Sequence, residues 1–296
     1  MSDSDPVARE RLSDLVGVIP GGGGAGRLAP LPCSKELLPL GFRPTRFGQR
    51  PKVIANYLLD AFRLAGAEQA FWLIDRSKTD IVQYFGGGAE FGIQLAYVPT
   101  QSSPSVVHTL AAAYAFLRDR HVLFGFPDIV FQPENALRVL WQRLSRGGAD
   151  VVLGAVPAPV TQAADRVRIG PDGRALEIRV KPIDNPWPEA WILAAWTPRF
   201  TRFLQQWLDV QHPVTGEPSP PAPELYLGHV LQAAIVEGLW IQVESFQEGS
   251  FIDLGTAAGF AQAQRRYGDI DGAEDSEGPP SSEATPPRAA VPLDPG

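Results

Sequence analysis

Residues 17–41, GVIPGGGGAGRLAPLPCSKELLPLG, decide how the rest of the chain is read. Val16 to Ile19 is a short apolar run of strand type, and it leads into four consecutive glycines, Gly21 to Gly24. Arg27 follows, then Lys35. Glycine has no Cβ, so the backbone N–H groups of Gly22, Gly23 and Gly24 are free to close on a polyphosphate, which Arg27 and Lys35 can neutralise. The plainer alternative is a flexible turn followed by two solvated cations. The strand before the glycines and the two cations after them favour phosphate. The stretch is not a Walker A loop, which ends in Gly-Lys-Ser/Thr, nor a dinucleotide fingerprint, since no helix opens within the glycines.

Outward from this stretch the pattern alternates short apolar runs with segments of helical period, as in a sheet flanked by helices. Helix is expected over Val53–Ala65, Val106–Leu117 and Asn135–Arg146, the last behind an Asn135 cap. Strands are expected at Ala70–Ile74, Leu95–Pro99 and His121–Phe126. From Asp150 strand-like runs dominate, and the turn at Pro171–Gly173 closes a hairpin. Helices return at Pro198–Leu208 and Leu225–Glu237, with strands at Trp240–Ser245 and Phe251–Asp253 and a last helix over Ala257–Tyr267. The expected fold class is α/β, a Rossmann-like mixed sheet flanked by helices with a strand-rich excursion in the second half. One domain is expected over residues 15–268, behind an N-terminal extension of residues 1–14. Residues 269–296 are Pro-rich and nearly without bulky apolar side chains, so a disordered tail is expected there. The Pro-rich loop 211–224 reads as a lid or an insertion.

Composition bounds the function. The 296 residues carry a formal charge of −7, which argues against non-specific binding to nucleic acid or to an anionic membrane surface. Cys33 is the sole cysteine, which excludes an intrachain disulfide and a multi-cysteine zinc site. With no apolar run of signal-peptide or membrane-spanning length, a cytoplasmic location is expected. The 26 basic residues include four lysines, Lys35, Lys52, Lys78 and Lys181. In so arginine-rich a chain, a lysine tends to stand where a compact ammonium is needed. The four histidines show no metal-ligand spacing, and Asp269–Asp271 opens the tail instead of following a strand.

The order Gly-Gly-x-Gly-x-Arg-Leu-x-Pro followed by Ser-Lys-x-Leu-Leu-Pro resembles the signature of the sugar-1-phosphate nucleotidyltransferases, and most of all their glucose-1-phosphate thymidylyltransferase branch. The resemblance continues in register over residues 16–265. VQYFGGGAEFGIQLAYVPTQ (82–101) is similar to the segment that contacts the base, which puts Gln83 and Gly88 at base-reading positions. HVLFGFPDIVF (121–131) and FIDLGT (251–256) resemble the strands that end in magnesium-binding carboxylates, here Asp128 and Asp253. VKPI (180–183) resembles Glu-Lys-Pro and places Lys181 on the sugar phosphate. The chain also departs from the pattern. Ala25 and Gly26 replace a glycine and a Thr or Ser; Val180 replaces the glutamate before Lys181; Val167 and Leu193 fall on small-residue positions of the sugar pocket; and Gly228 and His229 replace Thr-Asp.

The resemblance implies a magnesium-dependent transferase that joins a nucleoside triphosphate, dTTP or UTP first, to a sugar 1-phosphate, with Arg27, Lys35 and Lys181 as its working cations and a homo-oligomer as its assembly. Two alternatives stay open. One is a catalytically degenerate module that binds a nucleotide or sugar nucleotide for regulation, motivated by the departures. The other is a metal-dependent glycosyltransferase on a related fold.

Overall fold

The computed structural model describes residues 14–23, 27–100, 103–159, 161–184, 187–211 and 224–268. Gly24, residues 1–13 of the expected N-terminal extension, the tail 269–296 and loop residues 212–223 lie outside the described residues. Among the described residues thirteen strands form, in chain order: β1 (Leu15–Gly21), β2 (Pro39–Thr45), β3 (Gly48–Val53), β4 (Gln69–Asp75), β5 (Gln94–Thr100), β6 (His121–Gly125), β7 (Ile129–Gln132), β8 (Val151–Pro157), β9 (Arg166–Ile169), β10 (Ala175–Arg179), β11 (Glu189–Trp196), β12 (Ile241–Ser245) and β13 (Ser250–Asp253). The main sheet runs β5-β4-β1-β6-β11-β8-β12. Its first four strands are parallel, and β11 is antiparallel to both its neighbours. The fold class is the one expected: a mixed sheet between helices.

Successive strand residues face opposite sides, and each side has its own core. Leu15, Ile19, Trp72, Leu123 and Val152 pack with the helices Ile54–Leu64 and Ala136–Ser145. Val16, Val18, Leu73, Phe124 and Leu153 pack with the helices Val106–Ala112, Pro198–Gln211 and Leu227–Val236 on the other side. Burial on both faces is why these strands read as continuous apolar runs.

Several elements differ from expectation. The 106–117 helix divides into Val106–Ala112 and Tyr114–Leu117 at Ala113, where φ is −95°. Asn135 makes no side-chain cap; the Ala136 N–H donates to the Pro133 carbonyl instead. The ribbon β2–β3 and the helix Thr79–Phe85 carry no prior sequence signal. In the ribbon Pro39, Pro44, Pro51, Arg43 and Arg50 replace the apolar alternation of a half-buried strand, and most of its residues are exposed or half-buried.

The order β4-β1-β6 makes β1 the switch point. The chain leaves β1 first toward β4 and β5, then returns to β1's other side with β6. In such sheets ligands bind in the crevice beyond the carboxyl ends of the strands. The glycines after β1, Thr100 of β5 and Gly125 of β6 all end there. The hairpin β9–β10 is joined to the sheet where Ala190 of β11 pairs with Arg166, beyond the end of β6, and so walls the same crevice. Its Pro171–Gly173 turn is the expected one, with Gly173 at φ +77°.

Arg166 fixes this wall. Its side chain is buried, and its guanidinium donates to the carbonyls of Ala158, Pro188, Pro159 and Gln162 at 2.6–3.2 Å. Arg166→Leu keeps apolar volume but strands those carbonyls, so we expect a loss of about 3 kcal/mol. Urea unfolding with an unchanged slope is the check.

Candidate functional site

The short ribbon β7–β13 brings two distant carboxylates together. Asp253 pairs with Ile129 in its antiparallel register, and the Leu254 N–H donates to the carbonyl of Asp128 at 2.8 Å. Gly255 marks the meeting point. A methyl built there would stand 2.6 Å from Arg27 Nη2, 2.9 Å from Asp253 Oδ1 and 3.3 Å from Asp128 Oδ2. A side chain there would push the Arg27 guanidinium away from Asp253. Asp253 Oδ1 is held by the Gly255 N–H at 2.8 Å, while Thr256 caps the Ala257–Tyr267 helix.

Lys35 reaches the same cluster, with Nζ 2.6 Å from Asp128 Oδ2 and both side chains largely buried. Burial alone would lower its pKa. The charge and hydrogen bond of Asp128, with Glu36 and Asp253 behind, outweigh burial and hold the ammonium above the ordinary lysine value. The turn that carries Lys35 is clamped on both sides. Ser34 donates through its N–H and its hydroxyl to Asp80, and buried Glu36 pairs with Lys78 at 2.7 Å. Arg27 pairs loosely with Asp253 at 3.4 Å, and its exposed side chain stays free to move.

A cavity of about 300 Å³ opens from Arg27, Asp128 and Asp253 toward Lys181 and Asp165, between walls that include Phe126, Trp191 and Phe251. Lys181 ends the β9–β10 hairpin with φ +39°, the sole positive φ among described residues other than glycine, and it precedes Pro182. A side-chain-bearing residue pays for that conformation, and such strain gathers at working sites. The Lys181 ammonium lies 3.8 Å from the centre of the Tyr226 ring, and its backbone N–H donates to Asp165.

The structure thus gathers Arg27, Lys35, Asp128 and Asp253, with Lys181 across the cavity. Gln83 and Gly88 are not brought there. Gln83 is exposed on the Thr79–Phe85 helix, and Gly88, at φ +82°, turns the chain against Ile93 at the opposite end of β5 from Thr100. Seven strand residues separate the two ends by roughly 20 Å. The far end of the 82–101 segment is the part that approaches the glycines: a methyl at Gly22 would lie 3.2 Å from Thr109 Oγ1 and 3.7 Å from Thr100 Oγ1. Gly23 has open space beside it. Val167 and Leu193 are core residues, buried on opposite faces of the sheet; Asp165, Trp191 and Ile192 line the cavity instead. Nothing in the local sequence singles out Asp165.

No protein-family model matches the chain. A 165-residue stretch is 26% identical to a glucose-1-phosphate thymidylyltransferase of Streptomyces griseus, covering 54% of this chain and 43% of that enzyme, so the match spans less than half of the relative's length. Solved structures match over most of the fold. A Bacillus anthracis protein provisionally assigned as a glucose-1-phosphate thymidylyltransferase, in complex with a sucrose, superposes with a TM-score of 0.71 at 16% identity, over 88% of this chain and 98% of that one. UDP-glucose pyrophosphorylase complexed with UDP-glucose gives 0.69 at 16%, over 85% and 97%. UTP-bound UGPase from Acinetobacter baumannii gives 0.67 at 15%, over 86% and 93%. At these identities the structures show the fold. The Streptomyces match bears out the resemblance to the sugar-1-phosphate nucleotidyltransferases.

Asp165 also yields a stability test. Burial raises its pKa from 3.8 to about 6, only partly offset by Lys181. Between those values the folded chain holds the extra proton, so stability falls as pH rises through the window, and the cost is complete above it. Asp165→Asn removes the cost. The variant should therefore gain on the order of 2 kcal/mol over the wild type at about pH 7.5 relative to its standing at about pH 4. Paired denaturation curves at the two pH values measure the difference.

Proposed function

We propose that this chain joins a nucleoside triphosphate to a sugar 1-phosphate and releases pyrophosphate. The observation that carries the reading is the convergence of Arg27, Lys35, Asp128 and Asp253 at one end of a cavity whose other end holds Lys181. The sugar phosphate is already an anion at neutral pH, so no proton need be moved. Its oxygen attacks the α-phosphorus, the bond between the α-phosphorus and the bridging oxygen breaks, and pyrophosphate carries the electron pair away. Catalysis then reduces to bringing polyanions together in line and stabilising charge on the leaving group.

The residues divide that work. Gly22 and Gly23 offer backbone N–H groups to the triphosphate, Arg27 faces the leaving pyrophosphate, Lys35 the α-phosphate and Lys181 the sugar phosphate. Asp128 and Asp253 are the residues that would hold magnesium. Hard carboxylate oxygens around one point suit an ion that takes one or two carboxylates and completes its shell with water and substrate phosphate, and no group of three or more His, Cys, Asp or Glu gathers among the described residues. When bound, the ion supplies charge neutralisation at the reacting phosphates. The base falls to the glycine side, near Thr100, Val106 and Thr109. The names of the similar proteins favour dTTP or UTP and glucose 1-phosphate as first substrates. A module that only bound nucleotide would have little use for two carboxylates gathered beside two cations.

A self-associating cytoplasmic enzyme goes with this reading. Among the described residues no helix is long and apolar enough to cross a membrane, and a monomer by light scattering counts against the assembly.

Pyrophosphate release with magnesium, across nucleoside triphosphates and sugar 1-phosphates, tests the activity. Release should need both substrates and fall by about a thousandfold or more in Asp128→Asn. Silence across the panel, with a nucleotide still raising Tm, would sink the enzyme in favour of the binding module.

A further inference from the structure

The polar groups of the cavity fall at two ends. Arg27, Asp128 and Asp253 stand at one; Asp165, Lys181, Glu224 and Tyr226 stand at the other. At the second end, three of the four already engage one another. The Tyr226 hydroxyl donates to Glu224 at 2.5 Å, and the Lys181 ammonium lies over the Tyr226 ring. Asp165 is different. It accepts the backbone N–H of Lys181 and forms no salt bridge with a described residue. A carboxylate has room for about four hydrogen bonds, so most of its capacity is unspent.

The chain makes space for this carboxylate at a cost. Gly228 lies in the first turn of the Leu227–Val236 helix, where a methyl would overlap Asp165 Oδ2 and come within 2.8 Å of Val180 Cγ2. A side chain at 228 would force Asp165 or Val180 to shift. Val180 beside it is apolar and leaves Asp165 as the carboxylate next to Lys181. Asp165 is half-buried at the cavity wall. Partial burial of a carboxyl without an ion pair costs stability, and an acceptor facing a cavity recovers that cost only when a ligand brings a donor.

We infer that Asp165 selects the sugar by accepting a hydrogen bond from one donor on the ring, hydroxyl or ammonium, so that a sugar 1-phosphate lacking a donor at that carbon is rejected. The inference rests on the sugar-phosphate reading of the cavity. A site built around a buried acceptor discriminates strongly against an analogue that leaves the acceptor unpaired, far more than an apolar wall discriminates by shape. With Phe126, Trp191 and Ile192 as walls, Asp165 is the less exposed of the two carboxylates at this end, Glu224 being exposed and held by the Tyr226 hydroxyl.

The test is a cycle between residue and substrate. Glucose, galactose and mannose 1-phosphates, with their single deoxy and amino-deoxy analogues, are compared by kcat/KM on the wild type, Asp165→Asn and Asp165→Ala. At one ring position the deoxy analogue should lose about a hundredfold or more on the wild type, and that penalty should shrink to a few-fold on Asp165→Ala. The KM for the nucleoside triphosphate should stay within a few-fold throughout. An amino analogue that beats its parent identifies the donor as an ammonium; one that does not identifies a hydroxyl. Equal deoxy penalties in the wild type and Asp165→Ala at every position would overturn the inference.

Should the wild type release no pyrophosphate, the same cycle is read by calorimetric binding of the sugar phosphates. A deoxy penalty that depends on Asp165 then supports the inference although the reaction has failed. Binding indifferent to Asp165, or no binding, overturns it.

Discussion

The pairing of β7 with β13 is the constraint on which the site depends. It is a ribbon of four residues on each side, yet it sets Asp253 against Ile129 and so places two carboxylates from distant parts of the chain around one point. A slip of one residue would turn every side chain of β13 to the other face and separate the pair. The register is held by a small core of its own, in which Leu40, Ile54, Val130, Ile252 and Leu254 pack together. Leu40 comes from the segment just past Lys35, and Ile54 opens the first long helix. The same apolar cluster therefore ties the two carboxylates to the cation that meets them.

Around this point the charges are held at graded firmness. Lys35 sits on a turn locked by a buried ion pair and a doubly bonded serine, whereas Arg27 is tethered by one loose contact. A cation that must stay beside the reacting phosphate benefits from the first arrangement; one that must follow a departing product benefits from the second. Asp165, at the far end of the cavity, is stabilised neither way, and its raised pKa records the cost.

Much of the fold was legible in the sequence, because β1, β4 and β6 are buried on both faces and read as continuous apolar runs. The ribbon β2–β3 was not, since its prolines and arginines pack against little. In the site, Arg27, Lys35, Asp128, Lys181 and Asp253 were legible through their order along the chain, although none is distinctive alone and their meeting depends on long-range pairing. Gln83 and Gly88 instead lie away from the crevice. The 82–101 segment resembles a base-binding one, but only its far end, at Thr100, reaches the crevice. Asp165 was illegible because its meaning depends on an absence, the missing side chain of Gly228, which no local pattern near residue 165 reveals.

The scarcity of lysine has a chemical consequence. Lys35, Lys52 and Lys78 are each paired with a carboxylate, with side chains no more than 15% exposed, and Lys181 alone of the four is open, at the cavity. Arginine, which carries the remaining positive charge, stays protonated and is a poor nucleophile. The lysine side chains thus offer acylating or aldehyde reagents essentially one target, and it stands where the sugar phosphate would bind. Among lysine side chains, then, modification of this protein is directed to Lys181 by composition and packing alone.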